Sequence, residues 1–167
     1  TCLGFVAGFT GETIINDLNK CGCSCDFIKL ENGFSRINVK IKSEKESDIN
    51  GHGPEIPVSS LQELFKKIEM IKPNDMLVLA GNIPNTLPKN MYEIILEKTR
   101  DRNIKVIVDA TGELLLNALK HKPFLIKPND SELGELFNVK IKTKEEILMY
   151  GKKLQELGAE NVMISMG

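Results

Sequence analysis

The stretch PFLIKPNDSELGELF (Pro123–Phe137) places a short apolar run directly before an amphipathic helix pattern. The run Phe124–Ile126 stops at Lys127, which predicts a strand that meets the start of a helix. Such a junction suits an anion, because the lysine carries a positive charge and the helix start presents unpaired N–H groups. The carboxylate of Glu132, in the first helical turn, could hold a metal-bound water. The segment therefore favours a site for phosphate and magnesium.

The same segment also fits a structural pattern. Asn129 and Glu132 have the spacing of a capping box, in which each side chain accepts a hydrogen bond from the other residue's backbone N–H group. This segment alone leaves both interpretations open.

Charge and hydropathy argue against two classes of partner. The 167 residues include 22 basic and 23 acidic side chains, so the net charge is −1, and no long basic run is present. Nucleic acid is therefore not an expected partner. No apolar stretch has the length of a membrane span and no signal peptide is visible, so we expect a cytoplasmic protein.

Three of the four cysteines lie close together in the segment CGCSC (Cys21–Cys25). Structural zinc sites usually draw their ligands from two such groups, and this chain has no second group with that spacing. Both histidines, His52 and His121, lie far away in the sequence. We therefore expect free thiols, as in a reducing cytosol, rather than a metal site.

From residue 59 onward, helical and extended patterns alternate. The predicted strands carry apolar residues on both faces, and they span 76–80, 104–108, 124–126 and 161–165. Apolar strands separated by amphipathic helices, one of them opened by the capping box Thr143-x-x-Glu146, are typical of a parallel sheet sandwiched by helices. Such sheets bind ligands at the carboxyl ends of their strands. Those ends are Gly81–Pro84, Asp109–Gly112, Lys127–Asn129 and Ser165–Gly167.

The first third of the chain has a different pattern. A helix is predicted over Gly11–Lys20, and two extended segments follow, Cys25–Leu30 and Ser35–Lys42. The second segment alternates strictly and predicts a half-exposed, antiparallel strand in a small β appendage. One face carries Ile37, Val39 and Ile41, and the other carries Arg36, Asn38, Lys40 and Lys42.

The two faces of this strand have separate interpretations. The basic face is either solvated or closes over an anionic substrate, with the guanidinium of Arg36 on a phosphate. The apolar face could pair with a second copy, so a homodimer through residues 25–42 is plausible.

A series of motifs, in order along the chain, resembles the ribokinase-like sugar kinases of the phosphofructokinase B type. The motifs are LGFVAGFTG (3–11), SRINVKI (35–41), INGHGPEI (49–56), AGNIP (80–84), FLIKPNDSEL (124–133) and the terminal SMG. The most similar branch is that of the 1-phosphofructokinases, with the tagatose-6-phosphate kinases nearby. The resemblance implies an α/β fold, with a ribokinase-like parallel sheet flanked by helices and a small β lid. It assigns residues 1–22 to the α/β core, 23–57 to the lid, and 58–167 to the core up to the start of the nucleotide-binding loop.

The resemblance also implies ATP-dependent phosphorylation of a phosphorylated ketohexose, with Mg²⁺. Fructose 1-phosphate is the expected acceptor, giving fructose 1,6-bisphosphate, and tagatose 6-phosphate or fructose 6-phosphate is the alternative. Arg36, Asn38 and Asn82 match positions that contact the phosphorylated sugar. The positions that match the nucleotide site are Lys127, Asn129, Glu132, Ser165 and Gly167, with Glu132 (through water) and Asn129 near the metal.

The sequence departs from the family pattern at several points. Asn82 stands where relatives often have serine, and His52 stands where the pattern NGPGP has proline. The N-terminal strand with the sugar-binding aspartate, the G-G-K-G segment and the G-A-G-D motif with the catalytic base are missing from this sequence. We therefore expect an internal fragment with no catalytic residue of its own, a base aspartate beyond Gly167, and little or no activity of the chain alone. A non-catalytic module that binds a phosphosugar or nucleotide is the competing hypothesis.

Overall fold

The structure is a computed structural model that describes residues 1–42, 47–81 and 83–166. The chain divides into two units, Thr1–Lys67 and Ile68–Gly167. The elements that begin in the first unit are β1 (Phe5–Ala7), α1 (Gly8–Lys20), β2 (Ile28–Leu30), β3 (Asn38–Ile41), β4 (Ser47–Asn50) and α2 (Val58–Glu69). Those of the second unit are β5 (Met76–Ala80), α3 (Met91–Thr99), β6 (Lys105–Asp109), α4 (Gly112–Leu119), β7 (Leu125–Ile126), α5 (Asp130–Leu136), α6 (Lys144–Glu156) and β8 (Asn161–Val162).

Among the described residues of the second unit, β5, β6, β7 and β8 form one parallel sheet in that order. A helix lies in each crossover, which is the usual connection between parallel neighbours. Val108 and Ile126, on adjacent strands, are fully buried, and so are Leu115, Leu133 and Leu154 of the crossover helices. The predicted α/β architecture with a parallel sheet is therefore confirmed.

The predicted strands differ from the observed ones in extent and cover. β7 and β8 have two residues each, and Ser165 rejoins the sheet only through an isolated parallel bridge with Asn129. On β5, the side chains of Met76 and Val78 are each 55% exposed, whereas Leu79 is 6% exposed. The apolar run of β5 therefore does not mean that both faces of this strand are covered in the single chain. This strand lies at the edge of the described sheet, and an apolar run does not reveal how many faces its neighbours cover.

Helix α6 begins with the predicted capping box. The backbone N–H of Glu146 donates to the Thr143 hydroxyl at 3.2 Å. In return, the backbone N–H groups of Lys142 and Thr143 donate to Glu146 Oε2 at 2.7 and 3.0 Å. These two bonds, Lys142 first, lower the pKa of the Glu146 carboxyl because they stabilise its charged form.

In the first unit, β1 and β2 pair in parallel, with α1 as the crossover. An isolated parallel bridge between Cys2 and Cys25 extends the pairing. Ile28 and Leu30 of β2 are buried. The sequence grouped β2 with the lid at 23–57, whereas the structure pairs it with β1, because its apolar side chains are covered there.

Strands β3 and β4 form an antiparallel ribbon, as the alternation of β3 predicts. Asn38 pairs with Asn50, and Val39 pairs with Ile49, so polar and apolar side chains occupy opposite faces. Val39 is 47% exposed and Ile49 is 59% exposed. The apolar face of the ribbon is thus open to solvent in the single chain.

The four cysteines carry free thiols. In the parts of the chain that the structure describes, no group of three or more His, Cys, Asp or Glu side chains is arranged to hold a metal ion. No helix within the described ranges is long and apolar enough to cross a membrane.

Candidate active site

Lys127 and Asp109 form an ion pair at the carboxyl edge of the parallel sheet. Asp109 is the last residue of β6, and Lys127 follows β7 directly. The lysine Nζ lies 3.3 Å from Asp109 Oδ2, and both side chains are 41% exposed. Because β6 and β7 are parallel, their ends meet at this edge and bring the two charges together. The sequence pattern marks a strand end at Asp109 but indicates no role for this residue.

The start of α5 is held by a capping box between Asn129 and Glu132. The backbone N–H of Glu132 donates to Asn129 Oδ1 at 2.8 Å, and the backbone N–H of Asn129 donates to Glu132 Oε2 at 2.8 Å. The structural interpretation that the sequence left open is therefore confirmed for this pair. The carboxylate of Glu132 can accept further hydrogen bonds, because its two oxygens offer about four acceptor positions.

Ser165 lies beside the start of α5. It forms the isolated bridge with Asn129, its backbone N–H donates to Pro128 O at 3.2 Å, and its carbonyl accepts from Asp130 N–H at 3.1 Å. These bonds bring Ser165 to the sheet edge that carries Lys127 and the capping box. The predicted nucleotide residue Gly167 lies outside the described residues.

The turn after β5 is anchored by a buried tyrosine on α3. Gly81 follows β5 with φ +87°, and the hydroxyl of Tyr92 donates to its carbonyl oxygen at 3.1 Å. Burial of the phenol, together with the nearby charge of Asp109, raises the pKa of Tyr92 to about 12. The hydroxyl therefore remains a proton donor at neutral pH. Asn82, predicted to contact the sugar, lies outside the described residues.

In the first unit, Arg36 is held against the polar face of the ribbon by two asparagines. Its Nε donates to Asn38 Oδ1 at 2.7 Å, and Nη2 donates to Asn50 Oδ1 at 3.2 Å. A guanidinium has five N–H donors, so these bonds orient the group while leaving donors for an anion. No sequence pattern pointed to a role for Asn50. Its position opposite Asn38 depends on the register of the ribbon, which the sequence of one strand does not show.

The family model for the pfkB family of carbohydrate kinases matches residues 1–167. The 1-phosphofructokinase of Bacillus subtilis is 45% identical over 164 residues, which cover 98% of this chain and 54% of that protein. The D-tagatose-1-phosphate kinase of Bacillus licheniformis is 41% identical over 168 residues, which cover 100% of this chain and 55% of that protein.

Among solved structures, that of a presumed phosphofructokinase from Staphylococcus aureus superposes with a TM-score of 0.80 at 35% identity. The match covers 99% of this chain and 54% of that one. The chain thus spans about half the length of the relatives it matches.

Proposed function

The chain belongs to the pfkB family of carbohydrate kinases, and on that premise we propose that the protein containing it phosphorylates fructose 1-phosphate. ATP would be the phosphate donor and fructose 1,6-bisphosphate the product. The name and 45% identity of the B. subtilis relative support this acceptor. The protein would then be a sugar-phosphate kinase, with this chain contributing part of its site.

The observation that carries the proposal is the group of side chains at the carboxyl edge of the sheet. Lys127 offers a partly exposed ammonium there, and Asp109 holds it from one side at 3.3 Å. The α5 capping box and Ser165 lie at the same edge, where parallel α/β sheets bind their ligands. We assign Lys127 to the nucleotide phosphates, where its charge would offset the charge of the transferring phosphoryl group. Asn129, Glu132, Ser165 and Gly167 remain the predicted nucleotide residues beside it.

In the proposed reaction, the oxygen of the sugar's C6 hydroxyl forms a bond to the γ-phosphorus as the bond from that phosphorus to the β–γ bridging oxygen breaks. ADP leaves, and the hydroxyl proton passes to a general base. The family pattern assigns that base to the aspartate of a G-A-G-D motif, which this sequence does not contain. The residues of this chain would bind and orient both substrates.

Magnesium fits this site as a hydrated ion. The described residues offer no acidic cage, but Mg²⁺ usually keeps several waters and is held by one or two carboxylates and the substrate phosphates. Glu132 can serve through water, because its capping bond engages Oε2 and the carboxylate retains further acceptor positions. Asn129 Oδ1, already a capping acceptor, would lie near the ion. When bound, Mg²⁺ would neutralise phosphate charge.

For binding of the sugar phosphate, we assign Arg36 to its phosphate group. We assign Asn38 to the same contact between the lid and the sugar phosphate. The asparagine-held guanidinium suits a phosphate, since its planar donors match two phosphate oxygens at once. The group does not specify the carbon that carries the phosphate. Asn82 remains a predicted sugar contact.

D-tagatose 1-phosphate is a second candidate acceptor, because the relative with 41% identity is named for it. It differs from fructose 1-phosphate only in configuration at C4. Both names place the phosphate on C1, which favours a C1-phosphorylated ketohexose over tagatose 6-phosphate or fructose 6-phosphate.

An ADP-release assay with ATP and Mg²⁺ tests the proposal. The acceptors are fructose 1-phosphate, D-tagatose 1-phosphate, tagatose 6-phosphate and fructose 6-phosphate, each offered separately. The assay is run on the 167-residue chain and on the product of the complete reading frame. We expect turnover by the longer protein, fastest with fructose 1-phosphate, and little or none by the chain alone. Lys127→Met should lose activity, whereas Lys152→Met, which changes an exposed lysine of α6, should keep it.

Two results would count against the proposal. Nucleotide binding without turnover of any sugar would support the non-catalytic module instead. Equal activity of Lys127→Met and the wild type would remove Lys127 from the site.

A further inference from the structure

We propose that Tyr92 is a positioning residue that fixes the turn after β5 and thereby sets the affinity for the sugar phosphate. This inference rests on the proposed kinase function. Tyr92 lies near the start of α3, and its side chain is 6% exposed. Tyr92 does not belong to any of the motifs that carry the family resemblance.

The hydrogen bond from Tyr92 acts directly on the backbone of Gly81. Gly81 has φ +87°, a conformation that glycine adopts readily, and a Cβ added at this position would meet no atom within 4 Å. The 3.1 Å bond from Tyr92 to its carbonyl oxygen is a direct constraint on the turn.

Gly81 directly precedes Asn82, the predicted sugar contact. In this proposal, Tyr92 holds the carbonyl of Gly81 at the start of the predicted sugar turn and acts without touching the substrate.

The hydroxyl of Tyr92 is a donor at neutral pH, as the hydroxyl of an unperturbed tyrosine would be. A buried phenolic hydroxyl needs a hydrogen-bond partner, and the Gly81 carbonyl provides it. Asp109 lies close enough for its negative charge to oppose ionisation of the phenol, and the same carboxylate pairs with Lys127. Asp109 thus influences both Tyr92 and Lys127, but the hydrogen bond of Tyr92 goes to the predicted sugar turn.

The test is Tyr92→Phe in the full-length protein, because phenylalanine keeps the buried ring and removes only the hydroxyl. We expect the KM for fructose 1-phosphate to rise about three- to tenfold, as for loss of one buried neutral hydrogen bond, with the KM for ATP unchanged. Amide hydrogen exchange should become faster in the peptide that contains Gly81. Tyr150→Phe is the matched control, since Tyr150 contacts Phe137 through its ring, and it should change neither KM.

The inference is overturned if Tyr92→Phe leaves the sugar-phosphate KM and the exchange rate unchanged. It is also overturned if both KM values rise together with a large loss of thermal stability, because that result indicates a general packing role. If the wild-type protein turns over none of the acceptors, the proposed function fails. In that case the exchange measurement still decides whether Tyr92 anchors the turn.

Discussion

Replacing Asp109 with asparagine tests whether the ion pair with Lys127 serves stability or the reaction. The substitution keeps the shape of the side chain and removes its charge. The pair spans 3.3 Å, but both side chains are 41% exposed, so water and salt screen it. Pairs of this kind contribute about 0.2–1 kcal/mol to the free energy of unfolding. For a chain of this length that corresponds to at most about 4 °C in Tm.

The expected effect on the reaction is larger than the effect on stability. Without its partner, the Lys127 ammonium is free to leave the sheet edge, and the phosphoryl group loses a charge that was held in place. We expect kcat to fall about tenfold in the full-length protein, which corresponds to about 1.4 kcal/mol of transition-state stabilisation. Steady-state ADP release with fructose 1-phosphate, together with a thermal unfolding curve, measures both quantities.

A double-mutant cycle with Lys127→Met decides whether Asp109 acts through Lys127. If it does, Asp109→Asn should cost little in the Lys127→Met background, so the two effects should not add. If the two substitutions lower kcat by factors that multiply in the double mutant, Asp109 does not act through Lys127 and this reasoning is refuted. So would an unchanged kcat in Asp109→Asn at saturating substrate.

Three further predictions concern the lid, the assembly and the pH dependence of stability. Asn50→Ala releases one of the two bonds that orient Arg36, and steady-state kinetics should show an increase of about threefold or more in the KM for the sugar phosphate, with ATP unaffected. Ile49→Lys places a charge on the apolar face of the ribbon and should convert the expected dimer to a monomer, as measured by sedimentation velocity. Asp48→Lys changes the opposite face and should leave the dimer intact. Identical masses for both variants would contradict pairing through the apolar face. The lowered pKa of Glu146 means that its stabilising contribution is present above the unfolded-state value near 4.5 and disappears as the pH falls through the lower folded-state value. Glu146→Gln should therefore weaken the pH dependence of chemical unfolding in the acid range, and an unchanged dependence would show that the capping bonds have no such effect.

Several features of this protein follow from local sequence patterns. The capping box at α6 was predicted because both partners lie within one turn, and the spacing Asn129-x-x-Glu132 likewise made a capping box one of two interpretations at α5. The alternation of Ile37 and Val39 with polar residues predicted an antiparallel ribbon strand for the same reason, since side chains on a strand alternate between faces.

Other features depend on residues that are distant in sequence. Asp109 and Lys127 meet because β6 and β7 are adjacent in the sheet, and Tyr92 reaches Gly81 because α3 packs near the end of β5. Asn50 reaches Arg36 only through the register of the ribbon. Each contact joins residues at least 11 positions apart, so no local spacing in the sequence could predict it.

The amino-acid sequence by itself determined the α/β class, the parallel sheet and the family. Hydrophobic periodicity and the order of motifs are properties of the chain that need no knowledge of its tertiary structure. It left open whether Asn129 and Glu132 cap a helix, and only the structure showed that they do. The tertiary structure also decided that β2 pairs with β1, that Lys127 meets Asp109 at one edge of the sheet, and that Tyr92 bonds to Gly81. The physical reason is that strand order and register set which ends of distant segments meet, and those choices result from burial over the whole chain rather than from any one segment.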